Sequence, residues 1–129
     1  MTFGKPIVAV VENDPSMVKA LRRLLYAYGY KSEVFTSAEM YLQRDSAAPL
    51  SCLLLDVNLD GLSGIDLQRA LVAMKMAPPI IFISGQGNEE TIRTAVDMGC
   101  VAFLHKPFES NVLSAAIKQA LSIGEAHVQ

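Results

Sequence analysis

Tryptophan is absent from this 129-residue chain, and cysteine is scarce, with only Cys52 and Cys100. Two lone cysteines supply neither a disulfide scaffold nor the ligand set of a structural metal site. Each borders an apolar run, CLLL or CVAFL, so both are expected as reduced, buried, small hydrophobes. Basic charge is in short supply too: 11 Lys and Arg against 13 Asp and Glu leave a net charge of −2. Such a chain has no field to hold a phosphodiester backbone, and direct nucleic-acid binding is not expected. Apolar runs such as IVAVV at 7–11 fall far short of the ~20 residues a membrane helix needs. No basic, apolar, small-residue succession opens the chain, so no secretory leader is expected and the cytoplasm is the expected compartment. With 51% apolar and 19% charged residues, the composition argues against a chain disordered as a whole and fits one folded domain with a real core.

What is present is an alternation. IVAVV, a continuous β-branched run, reads as a strand covered on both faces. Asp14-Pro15 then gives an N-cap and a first-turn proline, and Met17, Val18, Leu21, Leu24, Leu25 and Tyr28 recur at helical spacing up to Gly29. Residues 31–35 form a second strand, and Thr36 with Glu39 reads as a capping box for a short helix carrying Ala38, Tyr41 and Leu42. CLLL (52–55) is a third strand, followed by a turn-rich loop over 57–64. A helix over 65–75 turns Leu67, Leu71 and Met74 inward, ahead of Pro78-Pro79. IIFI (80–83), a helix over 89–98 with Ile92 and Val96, a strand over 101–104 and a last helix over 108–123 complete the series. Five strand–helix units in this length predict an α/β doubly wound, flavodoxin-like parallel sheet of five strands in the order 2-1-3-4-5. One domain over 1–124 is expected, with no output domain and a frayed polar tail at 125–129.

Open α/β sheets carry their chemistry beyond the carboxyl ends of the strands. The residues in those places are Glu12-Asn13-Asp14, Asp56, Ser84 and His105-Lys106-Pro107. Acids, an amide, a hydroxyl and an ammonium thus converge on one edge. Oxygen donors of this kind suit a hard cation such as Mg²⁺ or Mn²⁺, and a carboxylate can itself attack phosphorus. Lys106 and Ser84 are suited to balance and hydrogen-bond phosphoryl oxygens. The plainer alternatives are Asp56 as a loop cap, Lys106 as an exposed lysine, Ser84 as a turn residue bonding its own backbone, and Phe103 as core. His105 is expected at the sheet edge or in solvent.

Four segments, VVENDPS (10–16), LLLDVNLDGLSG (53–64), ISGQG (83–87) and FLHKPF (103–108), closely resemble the receiver domains of bacterial response regulators. They occur in the family's order over nearly the whole chain. The flavour of LSG and SGQGN is similar to the subgroup often fused to helix-turn-helix output domains. The resemblance implies Asp56 as phosphoacceptor, Glu12, Asn13, Asp56 and the Asn58 carbonyl as metal ligands, and Ser84 and Lys106 as phosphoryl holders. It implies Ser84 and Phe103 as the switch pair, and Asn58 and Gln86 as positions that tune self-hydrolysis. The implied partners are a sensor histidine kinase or a phosphotransfer protein, with a homodimer through the face of helix four, strand five and helix five. No conventional enzyme is implied, only self-phosphorylation and slow self-dephosphorylation.

One departure matters. The family places two acids where this chain has Glu12-Asn13. At an effective dielectric of ~20, a unit charge ~4 Å away interacts by about 4 kcal/mol, so weaker Mg²⁺ binding is the expectation. The competing reading is a pseudo-receiver, an interaction module that keeps the fold without turning over phosphate. A flavin-binding flavodoxin fits worse, because no strand-end loop offers a Ser/Thr-rich phosphate cradle.

Overall fold

The computed structural model describes residues 4–45 and 48–128, with side chains through Ile123. Strands β1 (Ile7–Val11), β2 (Lys31–Phe35), β3 (Cys52–Asp56), β4 (Ile80–Ser84) and β5 (Ala102–His105) alternate with helices α1 (Pro15–Ala27), α2 (Ala38–Leu42), α3 (Gly64–Ala73), α4 (Glu89–Asp97) and α5 (Ser110–Val128). All pairings are parallel, and the strand order is β2-β1-β3-β4-β5. The flavodoxin-like sheet is therefore present as expected.

Strand side chains alternate between two cores. Val8, Val10, Cys52, Leu54, Ile81 and Ile83 pack with Leu21 and Leu25 of α1 and with Leu113, Ile117 and Ala120 of α5. Ala9, Val11, Leu53, Leu55, Ile80 and Phe82 pack with Ala38 and Tyr41 of α2, Leu67 and Leu71 of α3, and Ala95 of α4. Apolar faces on both sides explain why these strands are unbroken apolar runs. Truncating a fully buried side chain such as Leu54 costs about 2–5 kcal/mol. Burial pushes the Cys52 thiol up to about 12, whereas Cys100 is only half-buried, unlike the expectation.

Local details depart from the sequence pattern in four places. The N-cap of α2 is Ser37, whose side chain accepts from the Met40 backbone N–H. Thr36 donates instead to Met40 Sδ, and Glu39 reaches out of its own helix to accept from the Leu62 N–H at 3.0 Å. Helix α3 starts at Gly64 through a true capping box, Ser63 with Asp66, and ends at Ala73, where Lys75 takes a φ of 55°. Met74, falling after the last helical turn, is 49% exposed rather than turned inward. Helix α5 starts at Ser110 rather than at 108 and continues to Val128, into the segment expected to fray; Gln129 lies outside the described residues. No described helix is long and apolar enough to cross a membrane.

Candidate functional site

β1 lies between β2 and β3, so the chain leaves it in one direction and returns on the other side. That switch point opens a crevice at the carboxyl ends of β1 and β3. Val11 pairs with Leu55, which sets Glu12 and Asp56 next to each other at the mouth. Asp56 pairs with Ile83 and Ser84 with His105, so Ser84 and Lys106 follow in the neighbouring strands.

Lys106 Nζ joins the two acids, at 2.9 Å from Glu12 Oε1 and 3.4 Å from Asp56 Oδ2. Glu12 is fully buried and Asp56 nearly so. One ammonium thus faces two carboxyl groups in a poorly hydrated place. Burial pushes the Asp56 carboxyl up to about 6; neighbouring Glu12 adds to this, while the Asn58 N–H and Lys106 pull the other way. Lys106 is held above its ordinary value: burial works downward, but the hydrogen bond to Glu12 and the fields of Asp56 and Glu12 outweigh it.

Each acid is aimed by backbone. Asp56 Oδ1 accepts from the Asn58 N–H at 3.0 Å, and Glu12 Oε2 accepts from the Asp14 N–H at 3.0 Å. Asp14 itself caps α1, accepting from the Ser16 N–H. The buried Ser84 hydroxyl accepts from the Gln86 N–H at 3.1 Å, which is the turn bond of the plainer alternative and leaves its O–H to donate. The Lys106 N–H donates to the Ser84 carbonyl at 2.8 Å, and the Lys106-Pro107 peptide is cis. The Asn13 amide, at the rim, donates to Asp60 Oδ2 at 3.3 Å.

Phe103 stands apart from this cluster. It stacks on buried Phe82 with ring centroids 5.7 Å apart and meets the His105 ring at 5.5 Å. Both rings lie under Gly87, where a Cβ would come within 2.8 Å of Phe103 Cε1.

Sequence reasoning missed three contributors. A Cβ on Gly64 would collide with the Asp56 carbonyl oxygen, so the first turn of α3 rests directly on the Asp56 backbone. Glu39 fixes the loop after β3 from the side of α2. Asp60 holds Asn13. The Gly at 64 was legible as a turn former, but nothing in the sequence ties positions 39 or 60 to the site.

Among the described residues, no three His, Cys, Asp or Glu side chains gather into a metal cluster. The crevice offers two carboxyl groups, Glu12 and Asp56, with an amide at its rim and an excess of negative over positive groups. Hard oxygen donors in this number fit a divalent ion such as Mg²⁺ that keeps most of its waters.

Fold and site together define an open, doubly wound α/β domain with acids and a lysine at its switch point. The family model described as the response regulator receiver domain matches residues 8–118, and the chain belongs to that family. Response regulator protein TodT of Pseudomonas putida is 35% identical over 123 residues, covering 95% of this chain and 54% of TodT. Nodulation protein W of Bradyrhizobium diazoefficiens is 42% identical over 116 residues, covering 90% of this chain and 51% of that protein. The structure of response regulator StyR superposes with a TM-score of 0.89 at 37% identity, covering 98% of this chain and 64% of StyR. The chain thus spans about half the length of the curated relatives it matches. It is a receiver domain of the kind found in two-component signalling.

Proposed function

We propose that the domain is a phosphorylation switch in which Asp56 accepts a phosphoryl group from a phosphohistidine of a sensor kinase or phosphotransfer protein. The observation that carries this reading is the meeting of Glu12, Asp56 and Lys106, delivered by three separate strands, at the switch point of the sheet.

In the step itself, an Asp56 carboxylate oxygen attacks phosphorus. The phosphorus–nitrogen bond breaks, its electron pair stays on the imidazole, and Asp56 becomes an acyl phosphate. A divalent cation held by Glu12, Asp56, the Asn13 amide and the Asn58 backbone carbonyl would supply charge neutralisation to the phosphoryl oxygens. The Asn58 N–H keeps one Asp56 oxygen fixed, and Lys106 gives its ammonium to the arriving phosphoryl group. Ser84 turns its free O–H toward the same group, and the Asn58 and Gln86 side chains set how readily water reaches it. Slow hydrolysis then resets Asp56.

Output passes through protein contact. Movement of the Ser84–Gln86 loop would release Phe103 from its place under Gly87 and alter the face of α4, β5 and α5. Val96 and Val112 are already exposed on α4 and α5, and that face suits a second copy or an output domain. On this reading the domain works in the cytoplasm, and residues 1–129, with a net charge of −2, do not themselves hold DNA.

Borohydride reduction tests the chemistry. After phosphorylation, an acyl phosphate at Asp56 yields homoserine at position 56 in the peptide map; unmodified Asp56 would contradict the proposal. One observation favours a pseudo-receiver: the second acid is replaced by Asn13, and no third acid completes a cluster among the described residues. Failure of the borohydride test in phosphodonor and Mg²⁺ would select that reading.

A further inference from the structure

Asn13 follows directly on buried Glu12, and its amide has two ends of similar size and opposite character. The carbonyl oxygen ligates a cation; the NH₂ group repels one. A half-turn of the side chain exchanges them, so a partner that holds the NH₂ group away from the site favours the ligating orientation of an asparagine at this position. In the structure that group donates to Asp60 Oδ2 at 3.3 Å, across 47 positions of sequence.

Asp60 is itself held in place. The loop between β3 and α3 is pinned where the Asn58 N–H meets Asp56 Oδ1, where the Leu62 N–H meets Glu39 Oε2 at 3.0 Å, and where the Gly64 N–H meets the Val57 carbonyl at 3.0 Å. Between these points Gly61 turns the chain at a φ of 76°, and a Cβ there would run into the Glu39 carboxylate. The backbone that carries the acceptor is therefore pinned at the rim, although the Asn13 and Asp60 side chains are both exposed.

We propose that Asp60 is the positioning residue that makes Asn13 a cation ligand. Holding the NH₂ group directs the carbonyl oxygen to the opposite side and polarises the amide. The carboxylate also returns one negative charge to the mouth of the crevice. Asn13 and Asp60 together thus take over the work of a single acid at position 13. The inference rests on the divalent-cation reading above.

The test is Mg²⁺ titration of the whole chain by calorimetry and backbone amide spectra, for Asp60→Ala and Asp60→Asn, each in the natural and the Asn13→Asp background. Asp60→Ala weakens Mg²⁺ about fivefold, less than the ~10–100-fold that a lost orienting partner typically costs, because the pair is exposed. Asp60→Asn keeps an acceptor without the charge and loses only about twofold. In the Asn13→Asp background no amide remains to orient, and Asp60→Ala changes affinity by less than about twofold. Equal losses for the Ala and Asn variants, or the same loss in both backgrounds, overturn the positioning role. Absence of any Mg²⁺-induced shift at Glu12, Asp56 and Lys106 in the natural chain overturns the cation reading itself, and this inference with it.

Discussion

Lys106 Nζ lies 2.9 Å from Oε1 of the fully buried Glu12, closer than the 3.4 Å to Asp56, so this ammonium is anchored on the acid that is not the proposed acceptor. This leaves Asp56 the more weakly held partner, able to exchange its share of the ammonium for a phosphoryl group. Replacing Lys106 by Met removes the cation between two buried carboxyl groups. In chelator, urea unfolding of Lys106→Met is expected to show a loss of about 3 kcal/mol, the low end for breaking a buried pair because the Lys106 side chain is 20% exposed. Added Mg²⁺ should restore more stability to the variant than to the natural chain. Equal stability of the two in chelator would mean that Lys106 is not bonded as described.

Asp56 should titrate visibly in the metal-free protein. Its folded-state value of about 6 stands above the ordinary 3.8, so folding favours the protonated carboxyl. The contribution to stability is fully present below about pH 4 and is lost as pH rises through about 6. Asp56→Asn removes the ionised group and should raise stability at pH 7 by about 2 kcal/mol in chelator. It should also flatten the pH dependence between about 4 and 6. Carboxyl carbon shifts followed by NMR locate the midpoint; a midpoint near 4 and no gain in Asp56→Asn would contradict the burial of Asp56.

Asn13→Asp puts a charge where the amide now stands. Mg²⁺ affinity is expected to rise roughly three- to tenfold, after solvent screening of the direct attraction. Calorimetry at fixed ionic strength measures it. Unchanged or weaker affinity would show that position 13 does not ligate, and that Asp14 or water takes that place.

The strand ends could be read from the sequence because each apolar run stops at a polar residue, and a parallel sheet with known order brings those residues to one edge. Glu12, Asp56, Ser84 and Lys106 were placed on that logic alone, and the β-sheet register sets them side by side. Loop contacts were not legible. The bond from Asn13 to Asp60 and that from Leu62 to Glu39 depend on the path of the loop after β3, which periodicity does not report. Glu39 also shows how a local pattern misleads: its spacing from Thr36 fits a capping box, but Ser37 caps the helix and frees Glu39 for a distant N–H. The depth of Glu12 was equally hidden, since an acid after a strand is as compatible with solvent as with full burial.

Gly64→Ala should disturb the site from beneath. The added methyl meets the Asp56 carbonyl oxygen, backbone that has little room to move, and the expected loss is about 2–4 kcal/mol, with shifted amide signals at Asp56 and Val57. Gly85→Ala, where nothing lies within 4 Å of the new methyl, serves as the comparison and should stay within about 0.5 kcal/mol. Equal effects of the two substitutions would show that α3 does not rest on the Asp56 backbone.

The most direct measurement is intact mass after incubation with acetyl phosphate and Mg²⁺. The natural chain should gain one phosphoryl group, lose it slowly on standing, and gain none in chelator, while Asp56→Asn should gain none under any condition. No gain by the natural chain, or an equal gain by Asp56→Asn, would contradict the account.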